Sequence, residues 1–201
     1  MISASEALDR LREGNGRYVA GHSDIDAALI GAKRAELVDG QSPFAIVLAC
    51  SDSRVPVELI FDQGLGDLFV IRVAGNIVAP SQVGSVEFAA AQLGTKLVVV
   101  LGHSNCGAVD ATLKELRRER AQRSRNLSAI VDRIRPAIEP LLQERGETSL
   151  RDAVAANVRH SVDRLQHGSA IIEDLVAAGE LTIVGAKYSI ESGKVKLLDS
   201  P

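Results

Sequence analysis

Apolar residues in this chain fall into short unbroken runs, separated by longer segments of helical periodicity. The runs at 44–49, 68–73 and 97–101 are almost wholly apolar, which is typical of strands buried on both faces of a parallel sheet. A run at 181–188 and a partner at 194–198, joined through a glycine-containing turn, predict a last strand and an antiparallel edge strand. The pattern therefore predicts an α/β fold: a mostly parallel central sheet of about four parallel strands plus one antiparallel edge strand, flanked by helices on both faces.

The segments between the runs predict helices. Ser3 and Glu6 have the spacing of a capping box and open an amphipathic helical arm that reaches about Val19 and packs on its own domain or on a second subunit. Pro136 and Pro140 are expected to interrupt one later helix. The Arg-rich segment 117–125 also carries acidic and polar residues, so we expect a solvated helix end. The other predicted helices are 30–38, 56–61, 85–93, 106–120, 126–142, 149–166 and 169–178.

Composition narrows the class of protein. We expect one domain, 1–201, because the chain shows no internal repeat or linker. With 23 basic and 26 acidic residues and no tryptophan, a nucleic-acid partner is not expected. The longest apolar runs are far shorter than the roughly 20 residues that span a bilayer, and the N-terminus lacks a signal pattern, so we expect a cytoplasmic protein without membrane contact. Its two cysteines are then expected to be reduced and available for metal binding, catalysis or burial.

The residues best suited to bind a metal or to take part in catalysis follow two of the predicted strands. Cys50, Asp52 and Arg54 come directly after the first strand, and His103 and Cys106 come after the third. In open α/β sheets the functional crevice lies beyond the carboxyl ends of the strands. If these strands are neighbours, two thiolates, one imidazole and one carboxylate meet there, and such groups are zinc ligands.

The fourth zinc position separates two hypotheses. Asp52 either binds the metal and closes a purely structural site, or Arg54 holds it by two hydrogen bonds and leaves the position to water. Zinc brings the pKa of such a water towards about 7, which makes hydroxide available as a nucleophile. Taken singly, each of these residues has a simpler interpretation, as a buried cysteine, a structural histidine or a loop ion pair.

Two other functional interpretations of the sequence are rejected or disfavoured. Gly64 and Gly66 precede a predicted strand instead of following one, and Phe69 stands at the third glycine position of a dinucleotide loop, so we interpret the pair as a turn. A thiol-redox module is disfavoured because Cys50 and Cys106 lie far apart in sequence and no Cys-x-x-Cys motif is present.

Cys-Ser-Asp-Ser-Arg-Val at 50–55 and Gly-His-Ser-Asn-Cys-Gly at 102–107 closely resemble the two signatures of the β-class carbonic anhydrases. The resemblance continues at 61–64, 72–76 and 84–88 and covers the chain from about Leu8 to Leu198. It implies reversible hydration of carbon dioxide to bicarbonate by zinc-bound hydroxide, with one zinc ion per subunit. It also implies a homodimer or a dimer of dimers, with the active sites at the dimer interface. By resemblance the zinc ligands are Cys50, His103 and Cys106, and the catalytic dyad is Asp52 and Arg54.

The same resemblance implies a substrate pocket. Gln41 stands where plant-like members carry a substrate-binding glutamine, and Phe69 and Phe88 fall at apolar pocket positions. Ala74 replaces a valine of some relatives, and Gly102 would contribute backbone. None of the remaining histidines is placed as a proton shuttle, and we expect all three at the surface: His22, His160 and His167.

One departure concerns regulation. Members that bicarbonate regulates carry a tryptophan where this chain has Val47, although Arg72 and Tyr188 match the rest of that bicarbonate pocket. We therefore expect an open site near neutral pH, without bicarbonate regulation. Two alternatives stay open: hydrolysis of carbon disulfide or carbonyl sulfide at the same site, and a non-catalytic, zinc-stabilised interaction domain.

Overall fold

The fold is known from a computed structural model that describes residues 1–25, 30–117 and 124–198. Within these ranges one sheet contains five strands: β1 (Ala45–Ala49), β2 (Leu68–Arg72), β3 (Leu97–His103), β4 (Thr182–Tyr188) and β5 (Val195–Leu198). The strand order is β2-β1-β3-β4-β5. The first four strands run parallel and β5 pairs antiparallel with β4. The predicted fold class is confirmed.

Helices surround this sheet. The capping box predicted at Ser3 and Glu6 is present. A 3₁₀ turn at Ala74–Asn76 follows β2, and a π-helical turn at Phe88–Gln92 extends one of the helices. The α-helices within the described ranges are α1 (Ala4–Ala20), α2 (Ile30–Glu36), α3 (Val57–Ile60), α4 (Pro80–Glu87), α5 (Gly107–Leu116), α6 (Arg125–Arg145), α7 (Leu150–Gln166) and α8 (Ala170–Ala177). None of the described helices is long and apolar enough to cross a membrane.

The strand β1 is buried along its whole length, which explains why its sequence is entirely apolar. Alternate residues beginning with Ala45 face a core cluster that contains α1 and α3. Ile46 and Leu48 face the opposite cluster, which contains α4, α7 and α8. A third cluster packs α5, α6 and α7 around Cys50 and Cys106. The candidate site therefore rests on a rigid, fully packed strand.

The helix α1 packs against its own chain, which is one of the two alternatives that the sequence leaves open. Ala7 and Leu11 are buried in the first core cluster. The Asn15 amide donates hydrogen bonds to the carbonyl groups of Ile60 and Gly193, over 3.0 and 2.9 Å. Its oxygen accepts a further bond from the first backbone amide of β5. These contacts fix the helical arm on the sheet.

The prediction that two prolines interrupt a helix is wrong. The helix α6 continues from Arg125 to Arg145 with Pro136 and Pro140 inside it. Both prolines lie on the exposed face, whereas Ile134 and Ile138 are fully buried on the opposite face. The hydrogen bonds that the prolines remove therefore lie where water can satisfy the freed carbonyl groups, and burial of the apolar face holds the helix together.

Other boundaries differ from the predicted ones. The strand β3 is two residues longer than expected, which makes His103 its last residue. The helix expected at 85–93 begins earlier, at Pro80, since proline is favoured in the first helical turn. The helix after Cys106 is described as far as Leu116. Its predicted extension to 120, and most of the Arg-rich segment 117–125, lie outside the described residues.

Candidate metal centre

Strand pairing brings the two sequence motifs together. β1 and β3 are neighbours, with Ala49 level with Leu101. Cys50 follows β1 directly, His103 ends β3 and Cys106 caps the N-terminus of α5. All three side chains are buried, and one ligand atom from each lies within 4.8 Å of the others. Residues more than fifty positions apart in sequence thus form one compact cluster.

The cluster fits a zinc ion. Sulfur and nitrogen ligands of one tetrahedral zinc lie roughly 3.5–4 Å from each other, given their bond lengths to the metal. His103 Nδ1 is 2.9 Å from the carbonyl oxygen of Ser104, so it carries the proton and leaves Nε2 with a free lone pair. Nε2 is buried and has no hydrogen-bond partner among the described residues. A buried nitrogen without a partner, beside two thiols, is the arrangement that a metal would satisfy.

The two cysteines share one negative charge before metal binds. A hydrogen bond from Cys106 lowers the pKa of Cys50 to about 4, and the hydrogen bond from the Gly75 amide acts in the same direction against burial. The pKa of Cys106 is raised because its proton bonds to Cys50 and because burial disfavours a second thiolate there. A divalent cation would release this second proton when it binds.

Arg54 holds Asp52 at the edge of the cluster. Its Nε and Nη2 atoms donate to Oδ1 and Oδ2 of Asp52, each over 2.9 Å, and its backbone amide adds a bond of 3.0 Å to Oδ1. The hydrogen bond from Arg54 holds the pKa of Asp52 well below its usual range, although burial opposes the shift. Asp52 Oδ2 lies 3.9 Å from His103 Nε2. An ionised carboxylate therefore stands beside the cluster while both of its oxygens bond to Arg54.

Backbone contacts hold the Cys50 loop in place. Arg72 donates to the carbonyl groups of Cys50 and Asp52, over 3.1 and 2.6 Å. The amide of Gly75 donates to Cys50 Sγ over 3.3 Å. The Gly75 carbonyl accepts a bond of 2.8 Å from Asn157 on α7. The helix α7 thus supports the loop that contacts the first thiol.

Two of the predicted substrate residues lie beside this cluster. Ala74 precedes the amide that contacts Cys50, and Gly102 precedes His103 on β3. Gly102 is buried against α7, where a Cβ atom would overlap a methyl group of Val158. Its backbone position is therefore set by close helix packing as well as by the site.

The other three predicted substrate residues lie away from the cluster. Gln41 is exposed and precedes β1, whereas Cys50 follows that strand. Phe69 is level with Ile46 in the sheet. Ile46 lies on β1, four residues before Cys50, so Phe69 is about 13 Å from the Cys50 end of the sheet at the rise of a strand. The ring of Phe88 is 6.2 Å from that of Phe69 and the residue is 49% exposed. Within one chain these three do not join the metal ligands.

The sequence predicted the turn between β4 and β5 but not the contact of this turn with the second motif. Glu191, between β4 and β5, accepts hydrogen bonds from Ser104 and Asn105. No local pattern links residues so far apart in sequence. Of the three remaining histidines, His22 and His167 are exposed as predicted, whereas His160 is half-buried on α7.

Comparison with known proteins agrees with this geometry. A protein-family model described as carbonic anhydrase matches residues 45–195. A carbonic anhydrase of Mycolicibacterium smegmatis is 42% identical over 95% of this chain and 91% of the relative. Carbonic anhydrase 2 of Mycobacterium tuberculosis is 38% identical over 96% of this chain and 92% of the relative. The crystal structure of the β-carbonic anhydrase CafA of Aspergillus fumigatus superposes with a TM-score of 0.74 at 28% identity, covering 87% of this chain and 86% of that one.

Proposed function

The chain belongs to the β-carbonic anhydrases, zinc-dependent lyases that interconvert carbon dioxide and bicarbonate, and from this premise we propose that Cys50, His103 and Cys106 hold one zinc ion per subunit. The observation that carries the proposal is the buried Nε2 atom of His103, which has no hydrogen-bond partner in the described part of the chain and lies within 4.8 Å of two thiols.

The residues around the metal position have separate roles. When bound, zinc supplies the Lewis acidity that lowers the pKa of water at the fourth position to about 7. Asp52, kept ionised by Arg54, accepts a hydrogen bond from the reacting water and orients its lone pair towards carbon dioxide. Arg54 acts through Asp52, since the guanidinium group holds both carboxylate oxygens and prevents the carboxylate from turning to the metal.

The proposed site is open near neutral pH and is not regulated by bicarbonate. Val47 is fully buried in the core, where the regulated relatives named above carry a tryptophan. The hydroxyl group of Tyr188 pairs with that of Tyr18 over 3.2 Å. Arg72 is bonded to two backbone carbonyl groups of the Cys50 loop. These contacts favour a structural use for the two residues that match the bicarbonate pocket. A crystal structure near pH 7 with Asp52 bonded to zinc would contradict an open site.

A second copy of the chain completes the proposed site. Gln41, Phe69 and Phe88 lie away from the metal ligands of their own chain, and the Phe88 side chain is half-exposed. In an isologous dimer each chain offers the same surface to the other. Two metal centres then each receive a glutamine amide and two phenylalanine rings from the partner. Apolar rings with a single oriented amide suit a small, weakly polar substrate such as carbon dioxide.

Stopped-flow measurement of carbon dioxide hydration tests the proposal, on wild-type protein of known zinc content and on Cys106→Ser. We expect rapid hydration by the wild type, rising between pH 6 and 9, and almost none by the variant. Stoichiometric zinc without hydration at any pH would refute the enzyme assignment and favour a zinc-stabilised interaction domain. Turnover of carbonyl sulfide or carbon disulfide, in place of carbon dioxide, would assign the chain to the hydrolases of the same fold.

A further inference from the structure

The turn between β4 and β5 places a carboxylate on the loop that joins two of the candidate metal ligands. Glu191 Oε2 accepts a hydrogen bond of 3.0 Å from Ser104 Oγ, and Oε1 accepts one of 3.0 Å from Asn105 Nδ2. Ser189, in the same turn, donates a third bond to Oε2, also over 3.0 Å. Ser104 and Asn105 are the only residues between His103 and Cys106. One side chain therefore bonds to the whole of the intervening loop.

That loop contacts both the metal ligands and the dyad. The Ser104 carbonyl oxygen faces His103 Nδ1, and the Asn105 carbonyl oxygen accepts a bond of 3.2 Å from Arg54 Nη2. Asn105 has a φ of 57°, a left-handed conformation that residues other than glycine adopt at a cost. This conformation turns the carbonyl of Asn105 towards Arg54. A contact that fixes the orientation of Asn105 therefore also helps to fix the orientation of the Arg54 guanidinium group.

Ser104 has other anchors, whereas the Asn105 side chain depends on Glu191. The Ser104 amide donates to Tyr188 O over 2.9 Å, and its hydroxyl accepts a bond of 3.0 Å from Ile190 N. For the amide group of Asn105, the hydrogen bond to Glu191 is the only one found in the described part of the chain. Removing Glu191 is therefore expected to release Asn105 before it releases Ser104.

We propose that Glu191 is a positioning residue for the Asp52–Arg54 dyad, and that it acts through Asn105. The proposal rests on the function proposed above. With the Asn105 carbonyl held, Arg54 has acceptors on two sides and presents its fork to Asp52 in one orientation. Without Glu191 the guanidinium group loses its fixed neighbour, and the carboxylate of Asp52 gains the freedom to turn towards the metal position.

The contacts of Glu191 are exposed to solvent, so their loss is expected to change orientation more than folding. Hydrogen bonds in water exchange with the solvent and contribute little net stability. Catalysis is more sensitive than stability to the loss of such contacts, because altering an outer partner of a metal site typically costs about 10–100-fold in activity or metal affinity. Glu191 is therefore expected to affect kinetics and metal coordination without a comparable change in melting temperature.

The test compares Glu191→Gln, Glu191→Ala and Glu191→Asp with a matched control, Glu180→Gln. Glu180 precedes β4, is exposed, and has no side-chain hydrogen bond among the described contacts. The measurements are kcat and KM against pH, zinc content, melting temperature, and the absorption spectrum of cobalt(II)-substituted protein, which reports the ligands of the metal. Asn105→Gly, which removes the amide but tolerates the positive φ, is tested alone and together with Glu191→Gln.

We expect Glu191→Gln and Glu191→Ala to lower kcat about 10-fold at pH 7, with wild-type melting temperature and zinc content. The increase of kcat with pH should shift to higher pH, because an Asp52 carboxylate that turns towards the metal position competes with water for it. The cobalt spectrum should change in parallel. Glu191→Asp should recover part of both properties, and Glu180→Gln should match the wild type. Asn105→Gly should reproduce the defect without adding to it in the double variant.

Two outcomes for Glu191→Gln and Glu191→Ala would overturn the proposal. The first is a kcat and a cobalt spectrum like those of the wild type. The second is a loss of kcat that is equal at every pH, with an unchanged cobalt spectrum. Additive effects of Asn105→Gly and Glu191→Gln would refute the route through Asn105. If the wild type with full zinc hydrates no carbon dioxide, the proposed function fails, while the cobalt spectra still decide whether Glu191 controls the metal surroundings.

Discussion

Arg54 and Asp52 form a two-pronged ion pair, in which Nε and Nη2 each lie 2.9 Å from a different carboxylate oxygen. Both oxygens of Asp52 are thereby bonded to Arg54, although Oδ2 lies 3.9 Å from His103 Nε2. The planar guanidinium group matches the carboxylate in a way that a lysine ammonium group does not. In the site that we propose, the geometry of this pair determines whether the fourth metal position is available to water.

Replacing Arg54 by lysine is expected to lower kcat by about 10–100-fold, since a single ammonium group cannot hold both oxygens of Asp52. Zinc content should stay at one per chain, because Arg54 is not a ligand. Arg12→Lys is a matched control, since Arg12 pairs with Asp9 by one contact on the exposed face of α1. Hydration kinetics and metal analysis provide the measurement. A kcat for Arg54→Lys equal to that of Arg12→Lys would contradict the role of the bidentate pair.

Removal of zinc is expected to destabilise the wild type but not Cys106→Ser. A ligand that binds only the folded state raises stability by mass action, so chelation should lower the melting temperature of the wild type by about 10 °C if the metal is held tightly. The variant lacks one ligand and should melt at the same temperature with or without chelator. Differential scanning calorimetry measures both. Equal melting temperatures of the wild type with and without chelator would refute a bound metal.

A mixed dimer of two inactive variants is expected to regain activity. Gln41→Ala damages the amide that we propose a chain gives to its partner, and Cys106→Ser damages the metal site of its own chain. Mixed dimers, isolated by two affinity tags, contain one site with both defects and one with neither, so about half of the wild-type activity should return. Recovery no greater than the mean of the two parent dimers would place glutamine and metal ligands on the same chain.

Two glycines of α1 are expected to respond oppositely to alanine. A Cβ atom at Gly14 would overlap the carbonyl oxygen of Phe61 and lie 2.8 Å from Gln63 Nε2, whereas at Gly16 it would meet nothing within 4 Å. Gly14→Ala should therefore destabilise by about 1–3 kcal/mol or more, since backbone cannot yield as a side chain does. Gly16→Ala should stabilise by up to about 1 kcal/mol through helix propensity. Urea unfolding of both variants is the measurement, and equal midpoints would show that α1 does not dock as described.

Asp62 is expected to lower the stability of the folded protein at acid pH, as its carboxylate loses its charge. Burial acts to raise its pKa, but hydrogen bonds from Ser23, Arg17 and the Asp24 amide outweigh burial, so the folded pKa lies below the ordinary value of 3.8. A lowered folded pKa stabilises the protein above the unfolded value, and this contribution is lost as the pH falls through the folded pKa. Asp62→Asn should thus cost about 2 kcal/mol at neutral pH.

The pH profile distinguishes this prediction from a general loss of packing. The difference in unfolding free energy between wild type and Asp62→Asn should be constant from pH 7 to 5 and should shrink below about pH 4, as the wild-type carboxylate takes up its proton. Urea titrations at each pH measure it. A difference that stays constant down to pH 3 would contradict the role of the ionised carboxylate.

Local sequence patterns predicted most of the secondary structure, because they record burial and helix ends directly. The unbroken apolar runs mark strands covered on both faces, and the Ser3 capping box marks the start of α1. The local rule failed at Pro136 and Pro140, where burial of the opposite helix face outweighs the missing hydrogen bonds. It also ended β3 too early, since Gly102 and His103 are kept in the strand by pairing with β4.

The sequence by itself determined the strands, the fold class and the chemical types at two strand ends, since these depend on neighbouring residues and on periodicity. Only the tertiary structure decided that Cys50 meets Cys106, that Glu191 reaches Asn105, and that Gln41 lies away from the metal ligands of its own chain. Such distances depend on which strands pair and in which register. The free energy that selects the pairing comes from burial across the whole sheet, and no short segment of sequence contains it.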